Sequence, residues 1–235
     1  MSTRTDSPRP TAGITNSLGW LLLAFVPARA VAQVLAFVVA RLPAAEFSPS
    51  NALRGDGALA VAAGASICCV ALPLGVAIAV HFAYLFQRWN ANVRASGVPG
   101  LRFTPGWAAG SFFVPIANLL VPYLVACELW RASTLPSRDE AAQDADWRAQ
   151  PVSSTVDRWW LCFVAALLAD RASNVAERFG AAWGSAAPLA ILQLALWIAA
   201  AWFARRFVLE LDLRVTARVA VAARATPPAA IEGWS

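Results

Sequence analysis

The sequence contains no lysine and only one histidine, and both shortages exclude classes of site. All 19 basic residues are arginines. Chemistry that needs an amine is therefore excluded, including the phosphate-binding lysine of a P-loop and the lysine of a Schiff base or a Ser-Lys dyad. Because His81 is the single histidine, a metal site built from several histidines is excluded as well.

Charged residues are also scarce, at 14% of the chain, whereas apolar residues make up 59%. Soluble domains have about 25% charged and roughly 45–50% apolar residues. A chain with so little charge cannot cover its own surface in water, so we expect lipid to be its solvent. The composition predicts an all-α integral membrane protein.

Runs of about 20 apolar residues are typical of transmembrane helices, because the hydrocarbon core is about 30 Å thick and a helix rises about 1.5 Å per residue. The runs that meet this criterion well or nearly are 17–40, 58–86, 159–178 and 181–204. The predicted organisation is a disordered cytoplasmic N-terminus (1–16), a membrane domain (17–204) with a soluble loop (131–158), and an amphipathic helix with a disordered tail (205–235).

A further apolar segment, 106–130, is interrupted by Pro115 and Pro122. Each proline lacks a backbone donor and clashes with the preceding turn, which breaks or kinks a helix. Asn118 lies between the two prolines, where its amide is placed to satisfy freed backbone groups. Two interpretations stay open: a single kinked transmembrane helix, or a re-entrant or surface element that enters and leaves on the same side.

The distribution of arginines favours the second interpretation, because basic residues of short loops stay in the cytoplasm. With four crossings and both termini inside, fourteen arginines are cytoplasmic, four are outside and Arg29 is buried. With five crossings, the arginine-rich stretch after residue 204 would lie outside. The sequence therefore predicts four transmembrane helices with a cytoplasmic N-terminus and C-terminus, and five crossings are the alternative.

Two polar stretches lie outside the apolar runs. From Arg206 to Arg218 a charged side chain recurs every four residues, as on one face of a helix, although residues 208–216 also alternate as a strand does. Because no second strand is available for pairing, we expect a basic amphipathic helix, which suits an anionic leaflet. The loop 131–158 has no apolar period and is expected to be a solvated linker; the alternative is a partner-docking loop around Trp147.

Arg29, Gln33 and Asp170 are polar candidates inside the apolar runs. Burying such groups in lipid is costly, so each is a hypothesis for function. Arg29 needs a carboxylate or carbonyl partner, and Glu128, Asp170 and Glu177 are the available carboxylates. The pattern indicates either an ion pair that packs helices together or a polar cavity for an ion, a proton or a small solute.

An ordered string of motifs runs through the middle of the chain. It reads LRFTPGWA from Leu101, FVPIANL from Phe113, PY from Pro122 and ELWRAS from Glu128. The chain from about Ala58 to Leu213 resembles the bacterial membrane-protein family catalogued as domain of unknown function 4328. Members often carry a basic residue and a glutamine where this sequence has Val121 and Leu124, so this chain is more apolar there. The family-motif candidates are Arg88, Asn92, Pro105, Gly106, Trp107, Pro115, Asn118, Pro122, Glu128 and Trp130. The resemblance implies residence in the bacterial inner membrane and no particular reaction or ligand.

No motif of an intramembrane protease occurs, and we expect a protein that is not an enzyme and binds no cofactor or metal ion. The arginines are dispersed along loops without aromatic interleaving, so no nucleic acid is expected as a partner. The expected partners are the lipid bilayer and a membrane or cytoplasmic protein. The sequence favours a membrane-embedded interaction or scaffold protein; the alternative is a small transporter or channel component that uses the broken segment 106–130 and Arg29.

Overall fold

The computed structural model describes residues 8–39, 67–135, 146–178 and 183–225, and every regular element in these ranges is helical. The α-helices are α1 (Ala12–Val39), α2 (Leu72–Ala95), α3 (Pro105–Gly110), α4 (Val121–Ala132), α5 (Ser154–Arg178) and α6 (Trp183–Ala225). A π-helical turn at Ile67–Ala71 precedes α2, and 3₁₀ turns lie at Ser111–Phe113, Ala117–Leu119 and Trp147–Ala149. The all-helical class is therefore confirmed for the described residues.

Three stretches of the described helices are long and apolar enough to cross a membrane: Ala12–Val34, Cys69–Ala95 and Pro188–Ala225. Helix α5 has 25 residues but is not among them. Its sequence carries charged residues in three places: near its start, in its second half at Asp170 and Arg171, and at its end. By length and composition, three helices are thus compatible with membrane spans.

Helix α6 continues without a break from the apolar run into the charged stretch after residue 204. No glycine or proline occurs between residues 189 and 225, so nothing in the chain stops the helix. The predicted boundary at residue 205 is a change in side-chain polarity rather than a change in backbone structure. The helix expected over residues 208–216 is confirmed, and residues 226–235 of the predicted tail lie outside the described residues.

The proline-rich apolar segment is broken into short pieces, as its sequence predicts. Thr104 caps α3 by accepting a backbone hydrogen bond, and Pro105 occupies the first turn. Helix α3 ends at Gly110, and α4 begins only at Val121, with Pro122 in its first turn. The longest helix in this region has 12 residues, which is about 18 Å and too short for a hydrocarbon core of about 30 Å.

The chain divides into two compact units, each with its own packed interior. The first unit comprises Met1–Thr15, Ala83–Ser153 and Val208–Ser235, and the second comprises Asn16–Phe82 and Ser154–Phe207. The core of the first unit is formed by fully buried side chains of α2, α4 and α6: Leu85, Phe86, Trp89, Val93, Val125, Leu129, Leu211 and Val215. In the second unit, Trp159 stacks on Phe207 with 4.7 Å between ring centroids and on Phe82 with 5.6 Å.

Asp212 joins three pieces of the first unit. Its carboxylate accepts hydrogen bonds from Nε1 of Trp89, at 2.8 Å, and from the hydroxyl of Thr11. Nearby, the side chain of Asn92 forms two hydrogen bonds of 3.1 Å with the backbone of Arg9. The predicted disordered N-terminus, residues 1–16, therefore has defined structure from residue 8, because side chains far along the chain bind it. Residues 1–7 lie outside the described residues.

Residues 146–150 of the predicted linker are hydrogen-bonded within the first unit. Nε1 of Trp147 donates to the carbonyl of Pro99 at 3.2 Å, and Nη2 of Arg148 donates to the carbonyl of Gly100 at 2.8 Å. Gly100 has a φ of 69°, a conformation that glycine adopts without strain. The indole N–H of Trp147 thus has a partner inside the unit. The middle of the predicted loop, 136–145, lies outside the described residues.

We expect the substitution Asp212→Leu to destabilise the first unit, because it removes the acceptor that Trp89 and Thr11 share. The loss of a partner costs about 1–3 kcal/mol for each buried donor. Thermal unfolding of the purified protein in detergent, followed by tryptophan fluorescence, measures the effect. The control is Leu213→Ala, since Leu213 is 72% exposed. Equal unfolding temperatures for the two variants would contradict the role given to Asp212.

Candidate functional site

Asp170 of α5 is the centre of a polar cluster in the second unit. Nη2 of Arg29, on α1, lies 2.9 Å from Oδ1 and 3.2 Å from Oδ2 of Asp170. The two side chains are 28% and 23% exposed. Because paired charges offset each other's desolvation, the ion pair allows both groups to lie among apolar helices.

Helix α6 and the next turn of α1 complete this Asp170 cluster. Nε2 of Gln193 and Nε1 of Trp197 both donate to Oδ1 of Asp170, the latter at 3.3 Å. Nε2 of Gln33 donates to Oε1 of Gln193 at 2.7 Å and to a backbone carbonyl of α6 at 3.2 Å. The guanidinium of Arg29 also lies 5.5 Å from the centroid of the Trp197 ring, within cation–π range.

The spacing of these residues explains how the cluster forms. Arg29 and Gln33 are four residues apart on α1, and Gln193 and Trp197 are four residues apart on α6, so each helix presents two consecutive turns on one face. The structure brings together all three predicted intramembrane candidates. Asp170 is the carboxylate that Arg29 uses. The sequence reasoning missed Trp197, for which the one available signal was its spacing from Gln193.

Of the other two carboxylates that the sequence offers to Arg29, Glu128 has different partners in the structure. Glu128 lies in the first unit, where it binds backbone amides. The side chain of Glu177 lies outside the described residues.

Two polar atoms of the cluster have no hydrogen-bond partner among the described residues. They are Nε of Arg29, a donor, and Oε1 of Gln33, an acceptor, and both are buried. A buried polar group without a partner costs about 1–3 kcal/mol. A water molecule placed beside either atom would satisfy it, by accepting from Nε of Arg29 or by donating to Oε1 of Gln33.

The family-motif residues build a different structure, which lies in the first unit. The carboxylate of Glu128, on α4, accepts hydrogen bonds from the backbone N–H groups of Arg102 and Phe103, at 2.5 Å and 3.2 Å. These amides precede α3, so the two ends of the proline-rich segment meet. We call residues 102–128 the hairpin. A charged acceptor makes such bonds about twice as strong as neutral ones.

The base of the hairpin is held to α2 by two polar side chains that the sequence reasoning did not select. Arg94 donates to the carbonyls of Phe103 and Leu101 at 2.6 Å and 3.1 Å, and Asn90 donates to Phe103 at 3.0 Å. Nε of Arg94 donates to Oδ1 of Asn90 at 2.9 Å. Their four-residue spacing, which places both side chains on one face of α2, was the signal that could have found them.

The remaining motif residues shape the hairpin or the first unit rather than converge on one point. Pro105, Gly106 and Trp107 lie in α3, and Pro122 lies in the first turn of α4. Pro115 and Asn118 lie in residues 113–120, which we call the tip of the hairpin. The side chains of Trp107, Pro115 and Asn118 are exposed or half-exposed. Arg88 binds the hydroxyl of Tyr84 at 2.6 Å, and Asn92 binds the backbone of Arg9. The guanidinium of Arg214 lies 4.2 Å from the ring centroid of Trp130.

Asn118 does not act as its position between the prolines predicts. Its backbone N–H donates to the carbonyl of Val114 at 2.7 Å. Its side-chain amide makes no hydrogen bond to the described residues, so the freed carbonyls are not satisfied by it. In the same described part of the chain, no group of three Asp, Glu, His or Cys side chains is placed to hold a metal ion.

We expect Arg29→Met to destabilise the protein, because it leaves the Asp170 carboxylate without its cation. Removing one partner of a buried pair costs about 3–5 kcal/mol, and the partial exposure of this pair favours the lower end. The double variant Arg29→Met/Asp170→Asn keeps an acceptor for Gln193 and Trp197 and should regain most of the loss. Thermal unfolding in detergent measures both, with Val34→Ala as the exposed control on α1. A double variant as unstable as the single one would contradict the ion-pair role.

Comparisons with known proteins agree with the motif string. The model of the family described as domain of unknown function (DUF4328) matches residues 55–213. No curated protein and no solved structure matches the chain. The matched range covers more than half of the chain and contains the complete hairpin as well as Asp170, Gln193 and Trp197. The chain therefore belongs to the family described as domain of unknown function DUF4328.

Proposed function

We propose that the chain is a multi-pass protein of the bacterial inner membrane that crosses four times, with both termini in the cytoplasm. We further propose that it acts as a membrane-embedded interaction or scaffold protein and not as an enzyme. Its apolar helices and its family membership are compatible with a membrane location. The topology and the role rest on the contacts described next.

The contacts within the first unit support four crossings. The segment that precedes α1 binds α2 and α6 through Thr11 and Asp212. The segment that follows α2 binds the one that precedes α5, through Gly100 and Arg148. These pieces of chain share one unit, so α1, α2, α5 and α6 each have one end there. Because Glu128 closes the hairpin, the chain leaves the hairpin beside the point where it entered, and the hairpin adds no crossing.

The fourth span in this topology is α5, whose charged residues set it apart from the other three. Asp170 is the charge that would lie deepest, and it is paired with Arg29 and hydrogen-bonded to Gln193 and Trp197. Such pairing reduces the cost of placing a carboxylate in lipid. The arginine distribution also agrees, with fourteen arginines on the cytoplasmic side and four outside.

The observation that carries the interaction role is the mutual bonding of the polar side chains inside the apolar helices. A transporter needs polar groups that converge on a solute, whereas Arg29, Asp170 and Gln193 bind one another. The first unit, in contrast, has a surface cavity of about 490 Å³ beside Trp130, which Leu213 and Arg214 also line. The cavity has a volume within the range of roughly 300–1,000 Å³ that small-molecule sites occupy, which is also room for side chains of a partner. It is the surface on which we place a cytoplasmic protein partner.

A small transporter or channel component is the second candidate. The observation that favours it is the pair of buried atoms without partners, Nε of Arg29 and Oε1 of Gln33. A polar solute that passes through the second unit would find a donor and an acceptor there.

Reporter domains inserted into the full-length chain test the topology. We expect insertions after Arg148 and after Arg224 to report the cytoplasm, because both positions follow segments of the first unit. An insertion after Ser50, between the first two spans, should report the outside. Reporters at 148 and 224 that lie on opposite sides of the membrane would favour the five-crossing alternative.

Photo-crosslinking in cells tests the interaction role. The absence of lysine rules out amine-reactive reagents, so a photoreactive residue replaces Leu213, which lines the cavity and is 72% exposed. We expect one discrete protein adduct at this position. The matched control is Ile191, which is 70% exposed on the apolar part of α6 and should give none. Adducts that are absent at 213, or the same at both positions, would contradict the role.

Ion flux into liposomes tests the transporter alternative. The interaction role predicts that liposomes with purified protein are as tight as empty ones. A current that Arg29→Leu or Asn118→Leu abolishes would reverse the order of the two proposals.

A further inference from the structure

The tip of the hairpin exposes an unusual amount of apolar side chain. Ile116 is 82% exposed, Phe113 and Leu120 are each 62% exposed, and Trp107 is 53% exposed. Soluble proteins rarely leave apolar patches of this kind uncovered. Phe113, Ile116 and Leu120 lie in the short stretch between α3 and α4, and Trp107 lies in α3 itself.

The tip is fixed by contacts with the rest of the first unit, so its exposed apolar side chains do not belong to a loose loop. The ring of Phe112 packs edge-on against the buried Phe86 of α2, with 5.1 Å between centroids, whereas the adjacent Phe113 is exposed. At the other end, Glu128 fixes the backbone that enters α3. The fold therefore determines which side chains near the tip pack inward and which are exposed.

Polarity changes in one direction along the hairpin. Its base carries guanidinium groups, with Arg94 bound to the base carbonyls and Arg102 lying over the ring of Phe103 at 5.4 Å. Both arginines are exposed. Arginines of this kind bind lipid phosphates, and Trp107 has the amphipathic ring that is enriched at membrane interfaces. The order of arginine, tryptophan and aliphatic tip matches the order of headgroup, interface and acyl chain.

The irregular backbone of the tip limits how deeply the tip can enter a membrane. Irregular backbone cannot lie against lipid within the hydrocarbon core, because its polar groups have no partners there. The tip consists of short 3₁₀ turns around Pro115, and the amide of Asn118 is half-exposed with no hydrogen bond to the described residues. Such a structure is stable where water or lipid esters can still reach it. Its depth should therefore be that of an interfacial element, about 5–10 Å.

We propose that residues 102–128 form an interfacial lipid anchor whose tip, residues 113–120, inserts between the lipids of one leaflet and contacts the upper acyl chains. Lipid is the molecule that covers the apolar surface, because the arginines at the base carry the positive charge that complements a lipid phosphate. The inference rests on the membrane residence proposed above and assigns a lipid-binding role to the family-motif segment.

Spin labels on single cysteines test the anchor in lipid nanodiscs that each hold one copy of the full-length chain. Cys68, Cys69 and Cys162 are replaced by serine, and the buried Cys127 is retained. One label at a time is placed at Trp107, Phe113, Ile116, Leu120 or Leu124, and collisions with oxygen and with a water-soluble nickel chelate give its depth. Asp146 is the water-exposed control, and Ile191 in α6 is the deep control.

The anchor predicts a depth profile that rises from position 107 to position 116 and falls again towards 124. The maximum should lie about 5–10 Å into the boundary between headgroups and acyl chains, whereas Ile191 should lie near the bilayer centre, about 15 Å below the edge of the hydrocarbon core. Three results overturn the anchor. A depth that increases steadily along the segment indicates a crossing, access to nickel equal to that of position 146 indicates a loop in water, and access to neither reagent indicates a tip covered by protein.

The control in α6 separates failure of the anchor from failure of the membrane proposal. If the protein is not embedded in lipid, the label at 191 is reached by nickel along with all the others. If only the anchor is wrong, the label at 191 keeps its deep position while those at 113, 116 and 120 do not give the shallow maximum.

Discussion

The path of the proline-rich segment depends on the carboxylate of Glu128. By accepting two backbone hydrogen bonds from residues 102 and 103 it closes a loop of about 25 residues, with a sequence separation of 26 for the shorter bond. In the proposed membrane location, a closed loop enters and leaves on the same side, so the apolar segment within it adds no crossing. The proposed even number of crossings, and the side on which α5 is proposed to begin, rest on this one contact.

The Asp170 cluster meets a different constraint, the cost of polar groups among apolar helices. Arg29 and Asp170 cancel each other's charge, and the amides of Gln33 and Gln193 extend the network from α1 to α6. Each helix thereby contributes one part of a structure that is stable only when all parts are present. Such a network selects one arrangement of helices over others that bury the same apolar area, which is how polar groups give specificity to packing between membrane helices.

The sequence predicts those features that depend on local patterns. Pro115 and Pro122 predict the break between α3 and α4, because the effect of proline acts within one turn of helix. Arg29 predicts a buried carboxylate, but three were available, and nothing local distinguishes Asp170 from Glu128 or Glu177. The partners of Glu128 are backbone amides, which have no signature in the identity of side chains. For the same reason the binding of the N-terminal segment by Asn92, through the backbone of Arg9, was beyond prediction.

Three of the arginines in the first unit depend on the planar shape of the guanidinium group. Arg94 binds two carbonyls and a side-chain amide at once, and Arg148 binds the carbonyl of Gly100 while its guanidinium lies 4.6 Å from the ring centroid of Trp147. Arg214 likewise combines the ring of Trp130 with the hydroxyl of Thr134. A planar group with five donors can do this, whereas the ammonium of lysine is a compact point charge that neither forks nor stacks. Lysine could supply the positive charge at these three positions, but it could not make the combined contacts with carbonyls and rings that the guanidinium makes. At these positions, arginine therefore serves the construction of the first unit as well as its charge.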